Sequence, residues 1–427
     1  MDQETSNSDA ESTDSGDRHN LDPRNLPTLE EPDGFSEDTQ PPVDNTFDLS
    51  LSATHSYLGD NLEELRGRTL LDEGIYMNLP LLVKQSVVLF PGQTLPLTVF
   101  GTQTIEMLQQ CIHKDRTFGV VCLGVDKVVP IGTTAEIYEY MEGSPMQGFR
   151  IKAKGRQRFK IIRVIQGYGK ISANVKIVPE ISLGAPLWES RVASLDRLRT
   201  QSSKELREKV ERLDAISSPW PSWVSRQYDP KRLSQKIRTH LDFIEKRGSH
   251  VPDDPTELSF WVAQNLPLDD NERITLLNYD CAIPRLQREI KYLIKDRVFV
   301  CCHCNKFIGL QSDMFPMNKE GPQSAYCNSG GIIHETVTLY KAQGMILSRE
   351  GPSSEYSWFP GYAWTIVTCE GCGIHMGWRF TAENNNLRPR AFWGLTRKSL
   401  RSKRIEAKKC LGDGVDRSDS EDYVSSY

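Results

Sequence analysis

Short apolar, β-branched runs separated by turn residues dominate the chain from Leu79. LPLLVKQSVVLFPGQTLPLTVF (79–100) breaks at Pro91-Gly92, a turn dipeptide. FGVVCLGV (118–125), GTTAEIYEY (132–140), GFRIKAKGRQRFKIIRVI (148–165) and GKISANVKIV (169–178) keep the same texture. Within the fourth run Arg150, Lys152 and Lys154 alternate with Ile151 and Ala153, the period-two signature of a half-exposed strand. These runs predict a β-rich domain of several short strands. Residues 185–295 change to helical spacing. Asp254-Pro255-Thr256-Glu257 predicts a helix start, with Asp254 as N-cap, Pro255 at the first helical position and Glu257 as capping-box partner. Asp269-Asp270-Asn271-Glu272 repeats the device before Ile274 and Leu277. Leu286, Ile290 and Leu293 form one apolar stripe facing a core. From about 296 to about 400 the pattern returns to strands, rich in glycine and aromatic residues.

Two stretches interrupt this picture. SSPWPSWVSRQYDP, after Ile216, sets Trp220 and Trp223 beside prolines. It reads as an exposed docking segment or as buried anchors, and the large area an indole buries favours anchors. RKSLRSKR (397–404) reads as a nuclear import signal or as a solvated charge run, with the solvated run favoured.

Charge redraws the N-terminal part. The net charge of −5 hides a split: residues 1–50 hold fourteen Asp and Glu against two Arg, a net of −12, which leaves +7 elsewhere. Residues 1–76 are expected to be a disordered acidic tail, because such a composition cannot offset its ordering entropy by burial. A second disordered tail is expected over 406–427. A surplus of +7 falls short of the concentrated basic face of a nucleic-acid binder. No apolar run reaches the ~18 residues of a membrane span. The start, MDQETSNSDA, has neither a basic stretch nor an apolar core. A nuclear and cytoplasmic location, where thiols stay reduced, is therefore expected.

In that setting paired CxxC motifs point to metal. Cys301-x-x-Cys304 and Cys369-x-x-Cys372 are two chelating hooks, and four thiolates close a tetrahedral zinc shell with no open position. The zinc is thus structural and not catalytic. The 64 intervening residues make it a staple between the two ends of a whole β domain. His303 and His375 neighbour the hooks but are not needed as ligands. The other six cysteines are scattered and fit free thiols.

Around the second hook crowd Trp358, Phe359, Tyr362, Trp364, Trp378 and Phe380. Trp378 and Phe380 share a strand face, and the Pro360-Gly361 turn is expected to set Trp358 opposite Trp364. Two readings stand side by side. One is a packed aromatic core, which small zinc domains need. The other is an aromatic cage for a flat neutral ring, since these strings offer no obvious carboxylate for a cation.

LPLLVKQSVVLFPGQTLPLTVF, GTTAEI, GRQRFKI and LPLDDNERITLL resemble the N-terminal, substrate-recognition domain of Lon proteases. GPQSAYCNSGGIIHETVTLYKA, SSEYSWFPGYAWTIVTCEGC, HMGWRFTA and FWGLTRKSL resemble the zinc-bound, thalidomide-binding domain of the cereblon family. Both parts in this order, over roughly 76–405, are similar to that family. The resemblance implies an α+β multidomain fold. A β-rich Lon N-terminal-like domain with a helical bundle occupies 77–295, its adaptor-docking helices at about 185–250. An all-β, zinc-stapled domain occupies 296–405. The resemblance further implies a non-catalytic substrate receptor of a cullin-RING ubiquitin ligase, leading targets to ubiquitination and proteasomal degradation. Its implied partners are the ligase's β-propeller adaptor, proteins bearing cyclic-imide degrons, and glutarimide or uracil-like small molecules, with no membrane and no nucleic acid. Carried onto this sequence, the ligand-binding residues are Asn328, Tyr356, Trp358, Trp364, Trp378 and Phe380. The imide is expected to meet the backbone of Tyr356 and Trp358. Two departures stand out: Tyr356 replaces a common His, and Ser329-Gly330 replace Pro-His, which implies altered ligand preference and a more mobile loop.

Two other classes compete. A Lon-like hydrolase needs a nucleophile and base within reach, and neither a GxxxxGK[ST] loop nor a serine-lysine or serine-histidine constellation announces itself. A zinc-dependent nucleic-acid binder needs a basic face and salt-sensitive affinity.

Overall fold

A computed structural model describes residues 45–59, 61–124, 128–143, 147–167, 169–182, 192–199, 203–216, 218–294 and 297–404. Residues 1–44 of the acidic tail and the tail expected over 406–427 lie outside the described residues. The remainder of the acidic segment corrects the expectation of disorder to residue 76. Phe47, Leu49 and Leu58 are buried apolar anchors spaced along it. Helix α1 (Leu49–Ala53) is N-capped by Asp48, whose carboxylate accepts the Ser50 N–H. Mean composition hid three anchors that find a partner surface far along the chain. Ser52 Oγ donates to the Met317 carbonyl at 2.6 Å, and Lys319 N–H donates to the Leu49 carbonyl at 3.1 Å.

The β-rich domain is built from β1 (Glu63–Glu64), β2 (Gly74–Gln85), β3 (Thr94–Val99), helix α2 (Thr102–Lys114), β4 (Thr117–Leu123), β5 (Val128–Met141), β6 (Phe149–Gly167) and β7 (Lys170–Val178). Their order is β1-β5-β4-β2-β7-β6-β3, and a further β5–β6 pairing closes the sheet on itself. Closure leaves only β1, two residues long, and β3 as end strands through which the sheet could pair further. Only β2 and β4 run parallel. Phe159 fills the interior, where two glycines make room. A Cβ on Gly119 would lie 2.8 Å from the Phe159 ring, and one on Gly132 2.7 Å from it. The expected alternation on β6 holds apart from Lys152, which is buried and donates to Glu139 at 2.6 Å.

Helices α3 (Asp196–Arg199), α4 (Lys204–Ile216), α5 (Ser222–Gln227), α6 (Pro230–Glu245), α7 (Pro255–Asn265), α8 (Asp270–Asn278) and α9 (Ala282–Leu293) follow. The caps stand where the sequence put them. Asp254 accepts from the Thr256 and Glu257 N–H groups, and Asp269 from that of Glu272. Ile237, Leu241, Leu258, Leu276, Leu286 and Ile290 meet in one core.

The zinc domain holds two sheets. Strands β8 (Arg297–Cys301), β9 (Phe307–Leu310) and β16 (Leu400–Arg404) form the smaller, in the order β16-β8-β9. The larger comprises β10 (Gln323–Cys327), β11 (Ile333–Leu339), β12 (Met345–Leu347), β13 (Tyr362–Cys369), β14 (His375–Ala382) and β15 (Ala391–Thr396). Its order is β10-β11-β15-β14-β13-β12. In the basic run 397–404 Lys398, Arg401, Lys403 and Arg404 are exposed, as the solvated reading expects, but the run is not a loose segment. Its last five residues are strand β16, and Arg397 is buried. Arg397 pairs with Glu335 at 2.7 Å and with Asp270 of α8 at 2.6 Å, while Arg273 of α8 reaches Glu335 at 2.8 Å. This four-residue ionic cluster ties the helical part to the zinc domain.

Candidate metal centre and aromatic site

Each metal hook is a tight turn. After Cys301 the chain reverses at Asn305, whose φ is +62°, and the Asn305 N–H donates to the Cys301 carbonyl. After Cys369 it reverses at Gly373, with φ +71°, and the Gly373 N–H donates to the Cys369 carbonyl. Asn and Gly are the residue types that tolerate this left-handed conformation. The turns aim backbone N–H groups at sulfur: those of Cys304 and His303 at Cys301, and those of Cys372 and Gly371 at Cys369. The Sγ atoms of Cys301 and Cys372 are 3.6 Å apart, and those of Cys304 and Cys369 3.5 Å. All four lie within 4.8 Å of one another. A tetrahedron with Zn–S bonds of ~2.3 Å has edges of ~3.8 Å, so the four sulfurs suit one zinc ion. Gly371 sits inside the turn, where a Cβ would come 3.1 Å from the Cys304 sulfur. One hook joins β8 to β9 and the other β13 to β14, so the zinc staples the small sheet to the large one. His303 is exposed, away from any ligand role.

The aromatic residues divide into a buried base and a half-buried wall. Trp358, 6% exposed, and Phe380 belong to a core with Phe359, Tyr362, Phe392 and the strap residues Phe47 and Leu49. Tyr326 stacks flat on Trp358, with ring centroids 4.9 Å apart. Trp378 meets Trp358 edge-on at 4.6 Å. Trp364 pairs in register with Phe380 across β13 and β14, and its indole N–H donates to the Glu355 carbonyl at 2.8 Å. Core and wall are thus built from the same residues. The Pro360-Gly361 turn between Trp358 and Trp364 closes tightly, the Tyr362 N–H donating to the Phe359 carbonyl, and beyond it the Trp364 backbone bridges to Ser353.

Asn328 and Tyr356 lie together at a separate small cleft, with Tyr57, Thr98 and Arg150. The Asn328 carboxamide accepts the Ile332 N–H at 2.8 Å and closes the β10–β11 turn. Gly331, at φ +80°, lies so close to Thr98 that a Cβ would sit 2.6 Å from its carbonyl. Tyr356 is 55% exposed at φ +52°. A non-glycine residue held there costs on the order of 1–3 kcal/mol, and such outliers cluster at ligand sites.

Two histidines join this wall: His334, which the sequence reading passed over, and His375, which it considered only beside the metal hook. His334 and His375 grip the Trp378 ring edge-on from two sides, each at a centroid distance of 4.9 Å. Burial, helped by the charges of His375 and Lys398, lowers His334 to about 4, and burial lowers His375 as well. Both are neutral at physiological pH and extend the apolar wall. Strand periodicity carried across β11, β15 and β14 places His334 on the tryptophan face, since Thr338 pairs with Gly394 and Gly394 with Trp378. His375, three residues before Trp378, reaches that face only through the irregularity in the β13–β14 register, which spacing does not show.

The docking segment reverses the favoured expectation. Trp220 and Trp223 are 62% and 63% exposed, and Ile216 78%. The segment is tied to its neighbours by Arg226, which pairs with Glu211 of α4 at 2.8 Å, yet its tryptophans stay in solvent.

Comparison with known proteins accounts for both halves. Residues 78–295 match the family described as the ATP-dependent protease La (LON) substrate-binding domain. Residues 297–413 match the Yippee zinc-binding/DNA-binding and Mis18 centromere-assembly family. Protein cereblon of Danio rerio is 38% identical over 398 residues, covering 87% of this chain and 91% of the relative. That of Gallus gallus is 38% identical over 388 residues, covering 86% and 87%. That of Xenopus tropicalis is 38% identical over 395 residues, covering 87% and 88%. With a closed Lon-type barrel, a four-cysteine zinc centre and this similarity over nearly the whole length, the chain belongs to the cereblon family.

Proposed function

We propose that this chain is a non-catalytic substrate receptor of a cullin-RING ubiquitin ligase, acting in the nucleus and the cytoplasm. The observation that carries the reading is the half-open aromatic wall. Trp364 and Trp378 stand partly exposed over a base of Trp358 and Phe380 that the core holds rigid. A preformed apolar slot takes a flat ring with little ordering cost. The ligand is a cyclic imide, as a small molecule or at a protein terminus. Its polar edge meets the backbone of Tyr356 and Trp358, where the positive φ of Tyr356 turns the chain toward the ring. The exposed Ile216, Trp220 and Trp223 supply the second surface, which docks on the β-propeller adaptor. Exposed tryptophans of this kind are the usual interface anchors, buried once the partner is bound. The chain contributes proximity, and partner proteins carry out the ubiquitin transfer.

Titrating the full chain with a glutarimide while following tryptophan fluorescence tests the pocket. Saturable quenching that disappears in Trp364→Ala is expected. A folded, zinc-loaded chain that gives no response would overturn the assignment.

A further inference from the structure

A second cavity, remote from the aromatic wall, opens between helices α6, α7 and α9 and the corner that follows β9. Its volume is about 390 Å³, within the range of small-molecule sites. Leu241, Ile244, Leu266 and Met314 give it an apolar lining. Among the described residues three polar groups on the same lining lack hydrogen-bond partners: the Trp261 indole N–H, the Arg297 Nε–H and the Gln311 Oε1. Trp261 itself is more than nine-tenths buried. Buried donors and acceptors are almost always satisfied in folded proteins, so two donors and an acceptor left over around one cavity mark a place for a ligand's complementary groups.

Charge selects the class of ligand. Among the described residues no aspartate or glutamate lines this cavity, and Arg297 brings its positive charge. Among the described residues no carboxylate pairs with Arg297. Glu272, whose carboxyl the Arg288 hydrogen bonds and, more weakly, the Arg297 charge hold below the usual range, is taken on both oxygens by Arg288. The Arg297 guanidinium lies 3.7 Å from the Tyr292 ring centroid, which fixes its plane, and it also borders a wider cleft on its other side. An apolar room with one unpaired cation, an indole donor and an amide acceptor is complementary to a small aromatic or branched monocarboxylate carrying a hydroxyl.

We propose that this cavity binds small apolar carboxylic acids. The carboxylate takes the Arg297 and Trp261 donors, the hydroxyl meets Gln311, and the ring lies against Leu266 and Met314. Because the walls come from both the helical part and the zinc domain, an occupant stiffens the junction between them. This site is independent of the imide pocket.

The test uses 6-hydroxy-2-naphthoate, with its uncharged amide as control, on the zinc-loaded full chain. Calorimetric titration is expected to give one saturable site per chain and a rise in melting temperature. The amide is expected to bind at least about tenfold more weakly, as loss of a charge-assisted hydrogen bond demands. Arg297→Gln is expected to erase the preference for the acid. Ser312→Trp, at the exposed lip, is expected to block both compounds without touching the core. Trp364→Ala is expected to leave naphthoate binding intact. Equal affinity of acid and amide, unchanged binding in Ser312→Trp, or no binding at millimolar naphthoate would each overturn the proposal.

Discussion

Glu335→Ala puts the junction between the two domains to the sharpest test. Glu335 is nearly buried and serves two arginines, Arg273 at 2.8 Å and Arg397 at 2.7 Å. The two are not equally provided for. Arg397 keeps Asp270 and the carbonyls of Leu268 and Ser86 if Glu335 goes. Arg273 keeps one carbonyl, that of Val88, and its Nε and Nη1 have no partner. Burial already pulls the Arg273 guanidinium down to about 10, with Glu335 opposing it. Removing one member of a buried ion pair costs about 3–5 kcal/mol, because the survivor stays desolvated. At about 2–4 °C per kcal/mol for a body of 150–250 residues, the melting temperature should fall by roughly 6–20 °C. Since α8 and β11 belong to different domains, scanning calorimetry should also show one transition splitting into two. The double variant Glu335→Leu with Arg273→Met, which removes charge from both sides, should recover most of the loss. A single variant that melts within about 2 °C of the parent, or a double variant worse than the single, would refute the reasoning.

Other consequences are simpler to state. Chelation should release one zinc per chain, detected with a metallochromic dye. It should unfold the small sheet and abolish imide binding, and Cys369→Ser should do the same. Trp223→Ala should leave stability within about 0.5 kcal/mol, since the indole is exposed, yet weaken adaptor capture in a pull-down at least tenfold. Acid should release the strap. Burial, with the Lys152 charge adding to it, lowers His55 to about 3, so the folded state refuses a proton that the unfolded state accepts near its ordinary 6.5. The stabilisation is present above about 6.5 and is lost progressively as pH falls toward 3. Limited proteolysis near residues 45–58 should accelerate below pH 6, and His55→Gln should flatten that dependence.

How much of this was legible in the sequence follows from the range of the interactions that decide it. The zinc hooks, the helix caps at Asp254 and Asp269 and the strand runs are local. A ligand pair spans three residues and a cap spans two or three, so spacing alone exposes them. The long separation of the hooks did not hide them either, because each is a complete turn before the metal joins them. What stayed hidden depends on partners tens to hundreds of residues away. Phe47 packs edge-on against Tyr362 at 5.5 Å, and Arg397 answers Asp270 and Glu335. In a one-dimensional reading the first is lost in an acidic segment and the second in a basic run. The tryptophans at 220 and 223 failed for the opposite reason. Burial is the rule for indoles, and only the absence of a covering surface in the fold shows that these two break it.

The aromatic site lies between these cases. Its residue types were legible, but cage and core are not alternatives here, because one cluster does both. Trp358 can serve as a rigid floor only because Tyr326 stacks beneath it and the strap closes over the adjoining rings. Stability and recognition therefore rise and fall together at Trp358 and separate at Trp364, which is half-exposed and held by one indole hydrogen bond. Trp358→Ala should lower both stability and imide affinity, the former by about 3–5 kcal/mol of lost packing. Trp364→Ala should lower affinity while moving stability by about 1 kcal/mol or less. If the two variants proved equally destabilising, the division into floor and wall would fail, and with it the account of a preformed slot.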